Sequence, residues 1–505
     1  MSAGGPRSRP RASGIPERRA LALLILSAWL LYVACFNTYQ VPNNDFFRFR
    51  ENALAYLNLT LPESVKRLPV FSLLIGVMSL IMPGPHPILL AAQVLNVLLA
   101  PVVLWFIHRT AREFTGPKTS LVVTALSASH WMMFHAAAQP LLELTLLSLV
   151  LATVVLALRG TRWAYVTAAA ASLTRYEAAA LIPALVLQDW LRTTGPRRLR
   201  SLLWGAASAA GLGLWMAHSV LRSAAVNPYV EEIIRDRGNL LAFVGGSLRL
   251  ATDFLPGAVV EGARWHRVVL AGALVLAGAG WLLLLRRHRA RLTVLLGFLG
   301  AYTVIHTLFP TYVSRYTFPI LWGIYLGAGA AVAAFLSRLR KLPAGPTLRR
   351  AGAAAVWVVV CLILGAQTSF SVQAMHNEHF KTNRAQFRLV GEWYREVATD
   401  EDRMLTAHWR VVSYYSGLPE PQFLAMEDLR LSTVEALLQA LREGGVTYVV
   451  WDNAIRDLKH APSRREAALV ARLRDLIELA PNDLEPVRRF SLGRQEAIVY
   501  RFVEP

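Results

Sequence analysis

Cysteine is nearly missing from the chain: two residues in 505, Cys35 and Cys361, each inside a hydrophobic stretch. Neither has a polar neighbour of the kind a metal site or a reactive thiol requires, so both read as packing residues, and cysteine usage says nothing about redox compartment. Acids are scarce where bases collect. Six short segments between alternate hydrophobic runs (7–19, 109–118, 159–162, 192–200, 286–291 and 338–350) hold 23 Lys and Arg against two acids, Glu17 and Glu113. That surplus is about the whole formal charge of +20. Bases gathered on alternate sides of hydrophobic spans form the positive-inside pattern, so the basicity reports orientation and argues against the nucleic-acid partner that net charge first suggests. No Ala-x-Ala cleavage site follows the first apolar run, which favours a retained span over a signal peptide. No internal repeat is evident, and residues 371–505 hold no Gly-rich phosphate loop, no Cys/His metal spacing and no nucleophile motif.

What the chain has in quantity is apolar surface. It is 54% hydrophobic with mean hydropathy +0.38, too apolar for a soluble protein of several domains. A spanning helix needs roughly 20 apolar residues, and such windows recur from residue 20 to residue 370. The expectation is a polytopic α-helical membrane domain over 20–370, behind a cytoplasmic basic tail at 1–19. About eleven spans are expected, at 20–36, 86–107, 119–137, 141–158, 163–174, 177–191, 199–221, 267–285, 292–309, 317–336 and 351–370. Outer-face loops fall at 37–69 and 222–266. Segment 70–82 is too short to cross, and crossing would put the basic 109–118 loop outside, so it is expected to be juxtamembrane or re-entrant.

Segment 163–174 rises only roughly 18 Å at 1.5 Å per residue. It should leave Thr174-Arg175-Tyr176-Glu177 recessed between two half-length helices, which requires a protein-covered or wet cavity. Loop 222–266 balances five acids with five bases, and 240–255 suits an amphipathic surface helix. Beyond residue 370 the composition changes: 371–505 holds 18 bases and 20 acids and no span. Helical periodicity near 384–398, 432–443 and 463–479, with strand-like runs at 404–407, 447–451 and 497–502, predicts a small outer-face α/β domain. His408 and Asp452 read there as surface or packing residues.

Ionisable groups inside or at the ends of spans are costly and point to function. Loop 37–69 carries Asp45, Arg48, Arg50, Glu51, Glu63, Lys66 and Arg67. Glu143 opens a span just after Gln139-Pro140, Arg175 and Glu177 sit at the helix break, and Arg315 lies between Tyr312 and Tyr316 before a late span. In this topology all share the outer side with Asp45. Interfacial snorkelling or helix–helix ion pairs could explain any one of them; their common side is what argues for chemistry. Arginine's planar fork suits a phosphate. A nearby carboxylate could deprotonate a hydroxyl attacking the sugar carbon that bears this phosphate, while the arginines stabilise charge on the departing group. His86, His130, His135 and His306 show no metal-ligand spacing, and His130 and His135, five apart, superpose poorly on one helical face. These histidines read as packing or interfacial residues.

The ordered set of pieces resembles a known family. Asp45 in the first outer loop is followed by Lys66-Arg67-Leu68-Pro69-Val70-Phe71, then Gln139-Pro140-Leu141-Leu142-Glu143, then Ala171-Ser172-Leu173-Thr174-Arg175-Tyr176-Glu177, then Ser314-Arg315-Tyr316. This is similar to the GT-C class of membrane glycosyltransferases, in particular the protein-mannosyltransferase-like and aminoarabinose-transferase-like branch (glycosyltransferase family 39-like). The resemblance implies inverting transfer of a sugar from a polyprenyl-phosphate donor to a lipid, glycan or protein acceptor. It implies Asp45 as catalytic base, Arg175 and Arg315 on the donor phosphate, and Glu143 shaping the acceptor side or assisting the loop acid. Arg67, Lys66, Glu51, Tyr176 and Tyr316 complete the expected substrate-binding set. The family often pairs two adjacent acids in this loop; here the next acid is Glu51, six residues on, and the usual double proline is Leu68-Pro69.

Some members of the class use a divalent metal and others do not, and these residues do not decide. A bacterial inner membrane, with the amino terminus cytoplasmic and the last domain periplasmic, is the expected location. The alternatives are a secondary transporter, against which the missing inverted repeat counts, and a non-catalytic membrane scaffold for cell-envelope glycan assembly.

Overall fold

The computed structural model describes residues 15–36, 41–62, 67–222, 264–307, 314–341, 345–376, 384–425, 433–452, 473–475, 477–478, 481–492 and 495–503. Most of the tail 1–19, of loop 222–266 with its expected surface helix 240–255, and of the expected helix 463–479 lies outside them, as do Glu63, Lys66 and Tyr312. The chain divides into two compact units, 1–36 with 50–375, and 37–49 with 376–505.

The first unit is helical. Its chain order begins α1 (Ile15–Ala34), α2 (Asn44–Leu57, which starts in the other unit), α3 (Pro69–Ser79), α4 (Pro87–Phe114), α5 (Pro117–Ser129), α6 (Trp131–Ala138) and α7 (Glu143–Leu158). It continues with α8 (Trp163–Ser172), α9 (Leu181–Arg192), α10 (Pro196–Arg222), α11 (Arg264–His288), α12 (Thr293–Thr307), α13 (Phe318–Leu339) and α14 (Pro346–His376). Proline is the first residue of α3, α4 and α5, where its fixed φ suits a helix start and its missing N–H would have had no partner. The 28-residue α4 is about 42 Å long and lies against α1, α3, α5 and α7. Tyr32 on α1 donates to the Ala128 carbonyl at 2.7 Å, and Glu17 accepts from Arg112 on α4 at 2.9 Å. Helices α11 and α13 meet backbone to backbone: a Cβ at Gly280 would collide with the Gly327 carbonyl, and one at Gly327 would lie 2.7 Å from the Ala277 carbonyl. Trp281 donates from Nε1 to the Gly323 carbonyl along the same seam.

Among the described residues, α4, α13 and α14 are long and apolar enough to cross a membrane, and the bent pair α5–α6 would make a fourth. Helices α3, α7 and most of α12 are apolar but shorter. The expected number of about eleven therefore rests on the sequence. The single span expected at 119–137 is instead two helices bent by 59°. Side-chain bonds account for the bend: His130 leaves the helical conformation and its Nδ1 accepts from Met132 N at 3.1 Å, capping α6. The Ser129 carbonyl accepts from Ser371 Oγ at 2.7 Å, while Ser129 Oγ donates to Gln367 Oε1 at 3.1 Å. Polar groups inserted into the helical ladder are a recognised cause of kinks.

The second unit contains a five-stranded mixed sheet in the order β2-β1-β3-β5-β4. The strands are β1 (Met404–Thr406), β2 (Phe423–Ala425), β3 (Tyr448–Asp452), β4 (Leu484–Leu492) and β5 (Gln495–Phe502). β1 runs parallel to β2 and β3, so each return needs a crossover. Helix α16 (Trp409–Ser416) supplies the first and α17 (Val434–Glu443) the second, after α15 (Ala385–Val397). Leu405, Leu437, Leu441, Val446, Val449, Leu484 and Phe502 form its core. Asp452 is fully buried, a packing position rather than a surface one. The segment 37–49 groups with this unit.

Candidate active site

Helix α8 ends at Ser172, and Arg175 follows in extended conformation (φ −154, ψ 135) before a short 3-10 helix, Tyr176–Ala180, leads into α9. The break expected at Thr174-Arg175-Tyr176-Glu177 is present. Local bonds hold it: Thr174 Oγ1 donates to the Ala170 carbonyl at 2.9 Å, and the Leu173 carbonyl accepts from Val70 N at 3.2 Å, tying α3 to the turn.

The extended backbone turns Arg175 into a cluster of buried polar groups. Its Nε donates to Glu177 Oε1 at 3.1 Å, and its Nη1 lies 3.9 Å from Glu143 Oε1. Glu177 Oε1 is shared: His306 Nε2 approaches it at 3.1 Å. The His306 ring stacks on Tyr316 at 4.6 Å and also contacts Tyr302 at 4.3 Å. Both arginines lie over the Tyr316 ring, Arg175 at 5.0 Å and Arg315 at 5.4 Å. Two cations within cation–π reach of one ring are at most about 10 Å apart. Glu143, Glu177 and His306 are each less than a tenth exposed. Carboxylates taken this far from water require a nearby cation, and Arg175 lies within ion-pair reach of both.

Glu143 is placed by the element before it. Asn96 on α4 donates from Nδ2 to the Gln139 carbonyl at 2.6 Å and to the Leu141 carbonyl at 2.8 Å. This fixes the turn around Pro140, so that Glu143 begins α7, where the helix dipole favours an acid. Glu143 Oε2 is buried and has no hydrogen-bond partner among the described residues, an oxygen available to a ligand.

Of the expected residues, the structure brings together Glu143, Arg175, Arg315 and Tyr316. Tyr176 starts the 3-10 helix beside Arg175 and is half-buried. Asp45 lies in the first turn of α2, its N–H donating to Asn43 Oδ1 at 3.3 Å. Glu51 is exposed farther along the same helix. Arg67 is half-buried just ahead of α3, and its carbonyl accepts from Asn52 at 3.2 Å. Lys66 is outside the described residues. His306 is the residue that sequence reasoning missed as a member of the cluster; taken as packing, it does pack between Tyr302 and Tyr316, but it also lies 3.1 Å from the acid that holds Arg175. Among the described residues no three His, Cys, Asp or Glu side chains group as a metal site.

No protein-family model matches the chain, and no curated protein matches it in sequence. Solved structures do match in fold. ArnT from Cupriavidus metallidurans bound to undecaprenyl phosphate superposes with a TM-score of 0.58 at 14% identity, over 96% of this chain and 98% of that one. The archaeal oligosaccharyltransferase AglB from Archaeoglobus fulgidus, in complex with an inhibitory peptide and a dolichol-phosphate, gives 0.58 at 11% identity, over 95% of this chain and 74% of that one. The chain has the fold of the GT-C glycosyltransferases.

Proposed function

We propose that this chain is a membrane glycosyltransferase that moves a sugar from a polyprenyl-phosphate donor to an acceptor hydroxyl on the outer face of the membrane, with inversion. The observation that carries it is the pair of guanidinium groups over Tyr316, one of them steered by two buried carboxylates, within a GT-C fold. In this reading Arg175 and Arg315 hold the donor's phosphate. Their charge stabilises the oxygen that takes the electron pair when the anomeric C–O bond breaks. Asp45 accepts the proton of the acceptor hydroxyl as its oxygen bonds to the anomeric carbon from the opposite face. The carboxylate ends protonated and the lipid phosphate leaves without the sugar. Glu143 offers its unpartnered oxygen to the acceptor or assists Asp45. The solved neighbours' undecaprenyl phosphate and dolichol-phosphate are lipid phosphates of the class proposed here. A bacterial inner membrane, a cytoplasmic amino terminus and a periplasmic last domain belong to the same proposal.

The test is incubation of the purified chain with radiolabelled polyprenyl-phosphate sugars and a membrane extract. Sugar should pass to an extract component, and Asp45→Asn should abolish transfer while polyprenyl-phosphate binding persists. Full transfer by Asp45→Asn removes the proposed base. Solute movement across liposomes with no sugar transfer favours a transporter instead.

A further inference from the structure

The first turn of α2 is where the proposed base stands, yet α2 is divided between the two units. Of the described residues, 41–49 group with the C-terminal domain, and the helix continues from residue 50 in the helical unit. The contact is aromatic. Phe46 and Phe47, 0% and 3% exposed, meet the Tyr414 ring edge to face at 6.3 and 5.5 Å. Tyr414 belongs to α16, the crossover helix between β1 and β2, and is itself braced by the neighbouring Tyr415 ring at 5.0 Å. Aromatic pairs at such separations attract beyond the effect of the area they bury. Two of them on one short turn are a specific attachment. Consecutive helical residues are about 100° apart, so Asp45 is about 150° round the axis from the midpoint of Phe46 and Phe47. The aromatic face is thus used for attachment, and the carboxylate is carried on the other side.

We infer that Tyr414 is a positioning residue for Asp45, and that holding this turn is what the C-terminal domain contributes to the reaction. The inference rests on Asp45 being the base. A reacting group displaced by about 1 Å loses on the order of 10²-fold in rate, so an acid at a helix start gains from an external brace. Helix α16 provides it through the Tyr414 ring.

The experiment combines two readouts on the full-length chain in detergent. Hydrogen exchange of the amides at 44–50 reports the brace whether or not Asp45 is catalytic. Transfer kinetics report its consequence. In Tyr414→Ala, exchange over 44–50 should speed up by about tenfold or more, turnover should fall about 10- to 100-fold, and the KM for donor should stay within about twofold. Tyr414→Phe keeps the ring and should restore both exchange and turnover. Unchanged exchange in Tyr414→Ala overturns the inference, as does Tyr414→Phe behaving like Tyr414→Ala. Full turnover in Tyr414→Ala beside an inactive Asp45→Asn also overturns it. An active Asp45→Asn instead removes the base, and with it the positioning role, while the exchange result still stands for the brace itself.

Discussion

Arg175 is held by a carboxylate on its own turn, by a second from α7 and by the face of Tyr316, and each contact uses the guanidinium's shape. A lysine keeps the charge but not the planar fork. Arg175→Lys is therefore expected to weaken polyprenyl-phosphate binding by about tenfold, and Arg175→Ala by more, as measured by titration in detergent. Wild-type affinity in both would count against the phosphate role. His306 Nε2 lies 3.1 Å from Glu177 Oε1, and the ring stacks on Tyr316. His306→Ala should loosen both groups and lower affinity, while His306→Phe, which retains only stacking, should fall between it and the parent. Arg175, Glu177 and Glu143 were legible in the sequence because a charge interrupting an apolar run stands out. His306 was not. Its function depends on α12 reaching the α8–α9 break, and nothing in its neighbours, Val304-Ile305 and Thr307-Leu308, signals a distant carboxylate.

At the level of elements, the turn that aims Glu143 depends on Asn96, whose one amide nitrogen serves two buried carbonyls. Asn96→Leu leaves both without that donor, and a buried polar group left unsatisfied costs about 1–3 kcal/mol. A lower thermal midpoint and reduced transfer are expected together; an unchanged midpoint would show that the turn holds itself. The helix break and the strands β1, β3 and β5 could be read from periodicity and from Thr174-Arg175-Tyr176-Glu177. The bend at Ser129–His130 could not, because the apolar run continues through it and its cause is Gln367 and Ser371 from a helix more than 200 residues later. Strand β4 was equally hidden. It is an edge strand, mostly exposed, with Pro486 at a register shift against β5, so it lacks the inward–outward alternation that marks a strand.

For the whole molecule, the C-terminal domain should lose stability in acid. Burial, and secondarily the charge of Arg384, push His408 down to about 3 from an ordinary value of 6.5. Between those values the unfolded chain binds the proton and the folded chain does not. Stability is therefore full above about 6.5 and falls as pH drops toward 3. Asp402 acts in the same direction: burial alone would raise its carboxyl, but hydrogen bonds from Thr399 outweigh this and lower it. Thermal unfolding of the full-length chain should show a midpoint that declines from pH 7 to pH 5, and His408→Phe should flatten the decline. An equal slope in the variant would assign the acid loss elsewhere.

The seam at Gly280 and Gly327 also bears on Arg315. Helix α13 begins at Phe318, directly after the Ser314–Tyr316 turn. Sliding α11 by one residue would drive the Cβ of Ala279 or Trp281 into a space that admits only hydrogen. The seam therefore resists a one-residue slip, and the guanidinium at the head of α13 takes its elevation from this packing. Retuning how far Arg315 reaches would require rebuilding a glycine pair more than two helical turns away, before any change to the loop that carries it.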